Sequence, residues 1–141
     1  MAKRDYRAIA DALLGDLNRH DLKAYVRHYS ADATHWDPTE PGLTRAENFE
    51  ESLGAYLRAF PDLHCELTNV IGDDEYFAYE WVGRGTHTGP LASPQGEIPP
   101  TGRRIEVRAC SVIRLNAQGL IAEEREYWDM AGFMQQLGLM P

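Results

Sequence analysis

Glu126 is the residue of this sequence whose type and neighbours best suit proton transfer. It lies in the stretch 120–138 (LIAEEREYWDMAGFMQQLG), which predicts a strand, a one-turn corner and a short amphipathic helix. Because side chains alternate along a strand, the face of Glu126 also carries Glu124 and Trp128. If that face points inward, burial penalises the charged carboxylate and raises its pKa, which makes Glu126 a candidate proton shuttle. If the face points outward, Glu126 is an ordinary solvated strand residue.

Other patterns of reactive residues do not occur in the sequence. The five histidines show neither HxH nor HxxxH spacing, so we predict no metal. The phosphate-binding patterns GxGxxG and GxxxxGK[ST] are missing, and no nucleotide cofactor is predicted. No GxSxG nucleophile motif occurs either.

The composition is that of a globular protein. Of its 141 residues, 43% are hydrophobic and 10% aromatic, which is enough for one domain with a substantial core. A net charge of −8 without a basic stripe argues against nucleic acids and anionic membranes as partners. We see no membrane span and no secretory signal. Cys65 and Cys110 lie far apart, which predicts reduced thiols in a cytoplasmic protein.

The chain begins with helical patterns. Apolar residues recur every three or four positions over residues 5–19, which predicts a first helix. Asp21 is suited to cap a second, short helix whose apolar side carries Tyr25 and Tyr29.

A short extended piece and a third helix follow. Residues 33–37 predict the extended piece, and prolines and a glycine end it. Thr44 and Glu47 form a capping-box pattern, so we predict that a helix starts at Thr44. Pro61 should end that helix.

From Leu63 onward the apolar period changes to two, which is typical of strands. The predicted strands are residues 63–71, 75–87, 103–115 and 120–128. Turn residues at 72–74 and 116–119 predict hairpins, and the Gly- and Pro-rich segment 89–102 predicts a loop over one end of the sheet.

Helices first, strands next and a closing helix indicate a single α+β domain over residues 1–141. A long antiparallel sheet twists and curls, and the N-terminal helices must cover its concave face. We therefore predict a cone-shaped barrel that is open at one end, with an apolar pocket between helices and sheet.

The alternation within two strands predicts which residues face that pocket. The odd positions of 75–87 and 103–115 are apolar or small, and we place them inside. Ala109 and Ser111 are small, so the space before them is either filled by aromatic side chains or left as a cavity. The even face carries Cys110 among its charges, which predicts a homodimer formed through the outer face of the sheet.

Three motifs together resemble a known family. They are Gly85–Gly89 (GTHTG), Ile98–Ile105 (IPPTGRRI) and the C-terminal pattern WDxxGxxxQLG that ends at Gly138. With the helix–helix–strand–helix beginning, the chain resembles the SnoaL-like polyketide cyclase family of the nuclear transport factor 2-like superfamily over nearly its whole length. The resemblance implies the cone-shaped α+β barrel, a scaffold that hosts many unrelated reactions.

The resemblance also implies a role for Glu126. In the family's cyclases, an acidic residue at this position removes a proton next to a carbonyl, and an aldol closure follows without metal or coenzyme. Glu126 is one methylene longer than the aspartate of the well-known cyclases. Ala109 and Ser111 stand where those cyclases carry a glutamine and a histidine, so an accessory hydroxylase of polyketide biosynthesis stays open as an alternative.

Three further polar residues have two interpretations each. His35 lies where relatives line the pocket mouth, and it either shares the proton of Glu126 or is a half-exposed loop histidine. Asp37 could pair with a second carboxylate for epoxide opening, as in other members of the superfamily. For His87 we prefer a structural hydrogen bond to the backbone of the following loop.

The remaining candidates are aromatic or small residues that either line a substrate pocket or form plain core. They are Tyr25, Tyr29, Tyr56, Tyr79, Trp81, Ala109, Ser111 and Trp128.

The leading hypothesis is a cytoplasmic homodimer that performs cofactor-free acid/base chemistry on an apolar, carbonyl-rich small molecule. Glu126 is its catalytic residue and His35 assists. An accessory hydroxylase or epoxide-opening enzyme is the second hypothesis. A small-molecule-binding module without catalysis is the third.

Overall fold

The computed structural model describes residues 4–39, 48–73 and 75–141, together with the backbone of residues 44–45. In chain order the elements are α1 (Tyr6–Asn18), α2 (Leu22–Val26), β1 (Tyr29–Trp36), β2 (Thr44–Arg45), α3 (Phe49–Ala59), β3 (His64–Gly72), β4 (Tyr76–Thr86), β5 (Leu91–Ser93), β6 (Gly96–Ile98), β7 (Arg104–Leu115), β8 (Ile121–Trp128) and α4 (Met130–Gln136). The four long strands β3, β4, β7 and β8 agree with the predicted ranges to within one residue.

Aspartates cap three of the helices. The side chains of Asp5, Asp21 and Asp129 each accept a hydrogen bond from the backbone N–H three residues further on. These bonds satisfy N–H groups that have no partner within the helix, and such a cap typically contributes about 1 kcal/mol.

Two predictions for the N-terminal third are wrong. β1 begins at Tyr29, so Tyr29 is a strand residue and the second helix is shorter than expected. Thr44 lies in β2, opposite His35 of β1, and α3 begins only at Phe49. The backbone of Thr44 pairs with β1 in the sheet, so no helix starts there. Glu47, the other half of the expected capping box, lies outside the described residues.

The main sheet has the order β2-β1-β8-β7-β4-β3. The predicted α+β class with a curled sheet is confirmed, but the sheet is mixed rather than antiparallel, and it curls without closing into a barrel. β1 runs parallel to β8, while the other neighbouring strands are antiparallel. The reason is that the hairpin with β7 fixes the direction of β8, which then inserts beside a strand from the beginning of the chain. The predicted loop 89–102 contains the short ribbon β5–β6.

The core has two parts. One lies where α1 and α2 cover the sheet, and the other lies where α4 and the end of α3 close it. Phe77, predicted to be core, is 2% exposed and stacks on Tyr6 with ring centroids 4.9 Å apart. Burying one large apolar side chain contributes about 1.5–3 kcal/mol.

Side-chain amides fasten two helices to the sheet. The Asn18 side chain of α1 donates to and accepts from the backbone of Cys65, with both bonds 2.8 Å long. The Gln136 side chain of α4 makes the same pair of bonds with Glu106, at 3.1 and 2.6 Å. Gln136 meets β7 beyond the last residue that pairs with β8, so it extends the ladder where that strand has ended. Among the described residues, no helix is long and apolar enough to span a membrane.

Candidate active site

The strand register brings the predicted residues together in rows across the concave face. Tyr79 pairs with Ser111, which pairs with Glu126. On the other side of β8, the register places His35 opposite Glu124. The side chains of Glu124 and Glu126 therefore point inward, at the seam between the antiparallel part of the sheet and β1.

A cavity of about 160 Å³ opens in front of these rows, with walls that are largely apolar. Helices α1, α2 and α3 form one side of it, and β4, β7 and β8 form the other. Eight of the predicted site residues line it: Tyr25, His35, Asp37, Tyr56, Tyr79, Trp81, Glu126 and Trp128. The cavity thus holds carboxyl and imidazole groups within an aromatic lining.

Glu126 is the carboxyl group available to a ligand. None of the described residues donates a hydrogen bond to it, although it lines the cavity and is only partly exposed. Burial raises its pKa from 4.5 to about 8; the negative charges of Glu124 and Asp37 raise it as well, and the positive charge of His35 opposes them. Glu126 therefore changes its protonation state close to neutral pH.

Glu124 is the residue that the sequence analysis did not select. It is 1% exposed, and its Oε1 accepts hydrogen bonds from the Tyr29 hydroxyl at 2.8 Å and from Nδ1 of His35 at 2.9 Å. Its Oε2 has no partner among the described residues. Its place on the same strand face as Glu126 was the signal in the sequence, but nothing there distinguished the two carboxylates.

His35 is held between two carboxylates. Nδ1 donates to Glu124, and Nε2 donates to Oδ2 of Asp37 at 3.0 Å. Burial alone would lower the pKa of His35, but the hydrogen bonds to Asp37 and Glu124 and the nearby charges of Glu126 and Glu124 raise it to about 10. His35 is therefore an imidazolium with both N–H groups engaged. The rings of His35 and Phe49 pack in a T-shaped arrangement with their centroids 4.8 Å apart.

Asp37 is anchored on both oxygens. Oδ2 accepts from His35, while Oδ1 accepts from the backbone N–H of Thr39 at 2.7 Å and from the Thr39 hydroxyl. Burial acts to raise the pKa of Asp37, but the hydrogen bonds from His35 and Thr39 outweigh it and lower the pKa. Asp37 is thus a fixed negative charge at the wall of the cavity.

The donor atoms of His35, Asp37 and Glu126 lie within 4.8 Å of one another, a spacing that could hold a metal ion. In this structure, however, both nitrogens of His35 are engaged by carboxylates. The carboxylates of Glu124 and Asp37 therefore already hold a cation, the imidazolium of His35. The predicted absence of a metal stays a prediction.

Two tyrosines extend this cluster into the core. Tyr29 donates to Glu124, so its oxygen is free to accept from the Tyr25 hydroxyl, 3.1 Å away. Burial raises the pKa of both hydroxyls well above the usual value, and both stay protonated. A chain of hydrogen bonds consequently runs from Tyr25 at the cavity through Tyr29, Glu124 and His35 to Asp37.

Three predicted site residues do not line the cavity. Tyr29 lies behind it, and Ala109 and Ser111 are covered. The indole of Trp81 donates to the Ser111 hydroxyl at 3.1 Å, and Trp81 also pairs with Ala109. The space before the two small residues is thus filled by an aromatic ring, which was one of the two predicted outcomes.

His87 has the structural role that we predicted. It is fully buried, and its Nδ1 accepts from the backbone N–H of Thr101 at 3.2 Å, with the Thr101 hydroxyl 3.0 Å away. Burial lowers the pKa of His87. Residues of α3 such as Phe49 and Leu53, by contrast, line the cavity although we did not predict them as site residues. Their helical spacing is equally typical of core.

Comparison with known proteins adds a family and a fold. A sequence model of the SnoaL-like polyketide cyclases matches residues 4–137. AclR from Streptomyces galilaeus, a candidate hydroxylase, is 24% identical with a TM-score of 0.81, covering 96% of this chain and 85% of its own. IdmH from Streptomyces antibioticus, a candidate polyketide cyclase, is 22% identical with a TM-score of 0.79, covering 96% and 99%.

A third solved structure is SalBIII, an epoxide hydrolase/cyclase-like enzyme with a role in pyran ring formation in salinomycin. It is 21% identical with a TM-score of 0.69, covering 89% of this chain and 92% of its own. A comparison with curated proteins gave no significant match. At these identities the solved structures establish the shared fold.

Proposed function

The chain belongs to the family of SnoaL-like polyketide cyclases, and we propose that it is a cofactor-independent acid/base enzyme acting on an apolar, carbonyl-rich small molecule. The observation that carries the proposal is the carboxyl group of Glu126. It lies in an aromatic-lined cavity, accepts no hydrogen bond from the described residues, and has a pKa of about 8. A base is most useful when its pKa lies near the working pH.

The proposed reaction begins with ionised Glu126. It takes a proton from a carbon next to a carbonyl group, and the electron pair of the C–H bond moves into the carbonyl to form an enolate. The enolate then forms a carbon–carbon bond to a second carbonyl, whose oxygen receives the proton from Glu126. Alternatively, Glu126 returns the proton to another carbon, which is an isomerisation.

His35 supports this reaction without giving up a proton. Because its two N–H groups are engaged by Glu124 and Asp37, it acts as a fixed positive charge. That charge lowers the pKa of Glu126 against the effect of burial and keeps an ionised fraction available at neutral pH. In this proposal His35 acts through its charge on Glu126, and the proton-sharing role, one of its two predicted interpretations, stays a prediction.

The test does not need the natural substrate. The C1 protons of 2-tetralone, a neutral bicyclic ketone, exchange with deuterium in D₂O through the enolate, and NMR follows the loss of their signal. We expect the protein to accelerate this exchange. Glu126→Gln, which cannot accept the proton, should lower the acceleration about 10²–10⁴-fold.

The matched control is Glu123→Gln, which removes the same charge from the opposite face of β8, where Glu123 pairs with Arg125. This variant should keep the full rate. No acceleration by the wild-type protein, or full activity in Glu126→Gln, would rule out the proposed reaction.

One observation favours a second candidate function, the opening of an epoxide. Asp37 and Glu126 lie close enough for one carboxyl to protonate an epoxide oxygen while the other carboxylate accepts a proton from water. SalBIII, which shares the fold, is named as epoxide hydrolase/cyclase-like.

Incubating indene oxide in H₂¹⁸O would separate epoxide opening from the enolate reaction, because label in a diol product indicates epoxide opening. Label from ¹⁸O₂ would instead indicate hydroxylation, the activity for which AclR is named.

A further inference from the structure

The charges on the cavity wall are almost all negative. The charged side chains that line it are Asp37, Glu124, Glu126 and His35, and no lysine or arginine of the described residues does so. The single imidazolium of His35 is shared between the carboxylates of Asp37 and Glu124. Even when Glu126 is protonated, the wall therefore carries two carboxylates against one cation.

Two of these carboxyl groups have acceptor capacity that none of the described residues satisfies. Oε2 of Glu124 is buried without a partner among the described residues, on a side chain that is 1% exposed. Glu126 receives no hydrogen bond from the described residues either, and it faces the same cavity. A buried carboxylate oxygen without a donor is unfavourable, so a ligand that brings N–H donors would gain binding energy here.

The rest of the wall suits the same kind of ligand. Trp81, Trp128, Tyr25 and Tyr79 line the cavity beside the carboxyl groups. The faces of aromatic rings attract cations, most strongly where water is excluded. A carboxylate ligand would meet the opposite conditions, because it would face like charges across a poorly solvated space.

We propose that this pocket selects its ligand by charge and takes a ring compound that carries a protonated amine. The ammonium group donates hydrogen bonds towards Glu126 and towards Oε2 of Glu124, which none of the described residues satisfies, and the ring body packs against the tryptophans. The same compound with a carboxylate in place of the amine is rejected. This inference rests on the proposed function only in taking the cavity as the substrate site.

The experiment compares three ligands with one bicyclic frame by isothermal titration calorimetry at pH 7. They are 2-aminotetralin, 2-tetralol and tetralin-2-carboxylate, which are cationic, neutral and anionic. We expect the amine to bind at least tenfold more tightly than the carboxylate, with the alcohol between them. A difference below tenfold, tighter binding of the carboxylate, or no binding of any of the three would overturn the proposal.

Variants then locate the preference. In Glu126→Gln, the ratio of amine to alcohol affinity should fall at least fivefold, because the carboxyl group that could ionise and pair with a bound ammonium group is lost. Glu123→Gln removes the same charge from the outer face of β8 and should keep the ratio. Equal changes in both variants would mean that the net charge of the protein, not the pocket, sets the preference, and this would overturn the assignment. Thermal melting checks that both variants fold, and the wild-type series decides the question by itself if one does not.

The two tests fail independently. Deuterium exchange uses a neutral ketone and reports on proton abstraction, whereas calorimetry reports on charge selectivity without any reaction. Amine preference without exchange would leave a cation-selective binding pocket and overturn only the proposed chemistry. Exchange without amine preference would support the proposed chemistry and overturn only the proposed charge selectivity.

Discussion

Glu124 and Glu126 show how one strand face gives the same side chain two different roles. Glu124 accepts from Tyr29 and His35, which fixes it as part of the frame of the pocket. Glu126, two residues further along β8, receives no such bond from the described residues and faces the cavity. Hydrogen-bond partners, and not burial alone, decide which carboxylate is available to a ligand.

The raised pKa values predict how stability depends on pH. Glu126 has a higher pKa in the folded chain (about 8) than its ordinary value of 4.5, so the folded state binds more protons between these pH values. The contribution of Glu126 to stability is therefore present at low pH and is lost as the pH rises through about 8. His35, raised from 6.5 to about 10, has the same sign, and its contribution is lost as the pH rises towards 10.

We therefore expect Glu126→Gln to gain stability relative to wild type between pH 5 and pH 9, by at least about 1 kcal/mol, which is roughly the worth of one pKa unit. Urea denaturation at the two pH values measures this change. Glu123→Gln serves as the control and should follow the wild-type dependence. A constant difference between Glu126→Gln and wild type across this range would contradict the raised pKa.

The hydroxyl of Tyr29 offers a second prediction at the scale of a residue. Tyr29→Phe keeps the ring, which packs in a T-shaped arrangement with Phe49 at a centroid distance of 4.8 Å, but removes a donor to the buried Glu124. We expect a loss of about 1–3 kcal/mol in the free energy of unfolding, as for a hydrogen bond to a charged group. Tyr76→Phe is the control, because among the described residues that hydroxyl has no partner; it should cost below about 0.5 kcal/mol. Equal losses in both variants would show that the bond to Glu124 contributes nothing.

At the scale of elements, glycine in the GTHTG motif lets a loop approach a helix end. The N–H groups of Thr88 and Gly89 both donate to the carbonyl of Ala59 at the end of α3, each at 3.1 Å. A Cβ on Gly89 would lie only 1.9 Å from the carbonyl oxygen of Arg58. The motif thus joins the β4–β5 connection to the helix that forms one side of the cavity.

We expect Gly89→Ala to destabilise the fold by about 1–3 kcal/mol or more, the usual cost of overpacking against backbone. Gly54→Ala in α3 is the contrasting variant, because the nearest atoms to its new Cβ lie at 3.6 Å or beyond. It should be neutral or stabilising by up to about 1 kcal/mol, since alanine favours a helix. Thermal unfolding of both variants tests this, and a Gly89→Ala protein as stable as wild type would refute the close approach.

The four long strands were predicted from the sequence, whereas the start of α3 was not. Period-two alternation located the four long strands, because each has one face on the core and one face towards solvent. The start of α3 was misplaced because Thr44 and Glu47 match a capping pattern that local sequence cannot distinguish from a strand segment. Only pairing with β1, a tertiary contact, assigns the backbone of Thr44 to the sheet.

At the scale of the whole molecule, the outer face of the sheet carries an apolar row. Ile71 pairs with Ala78, which pairs with Val112. Ile71 is 61% exposed and Tyr127, further along the same face, is 48% exposed. This row supports the homodimer predicted from the sequence, which we keep as a proposal.

The dimer proposal predicts a mass in light scattering of about twice the 15.9 kDa of one chain. A charge in the centre of the row, Val112→Lys, should shift that mass towards the monomer, because burying an unpaired charge in an interface is costly. Leu139→Lys is the control, since Leu139 is 39% exposed near the end of the chain, outside the row. A monomeric wild-type protein, or a dimer that is indifferent to Val112→Lys, would disprove this interface.

The sequence by itself determined the α+β class, the strands and which side chains of β8 share a face, because these follow from periodicities that a single chain displays. Its motifs also placed the chain in its family. The tertiary structure decided that the face of Glu124 and Glu126 points into the cavity. Only the tertiary structure decided that Glu124 is tied and Glu126 is free, and that His35 lies between two carboxylates. It also decided that Trp81 fills the space before Ala109 and Ser111. These outcomes depend on distances between residues up to 95 positions apart, and side-chain spacing along one strand carries no information about such distances.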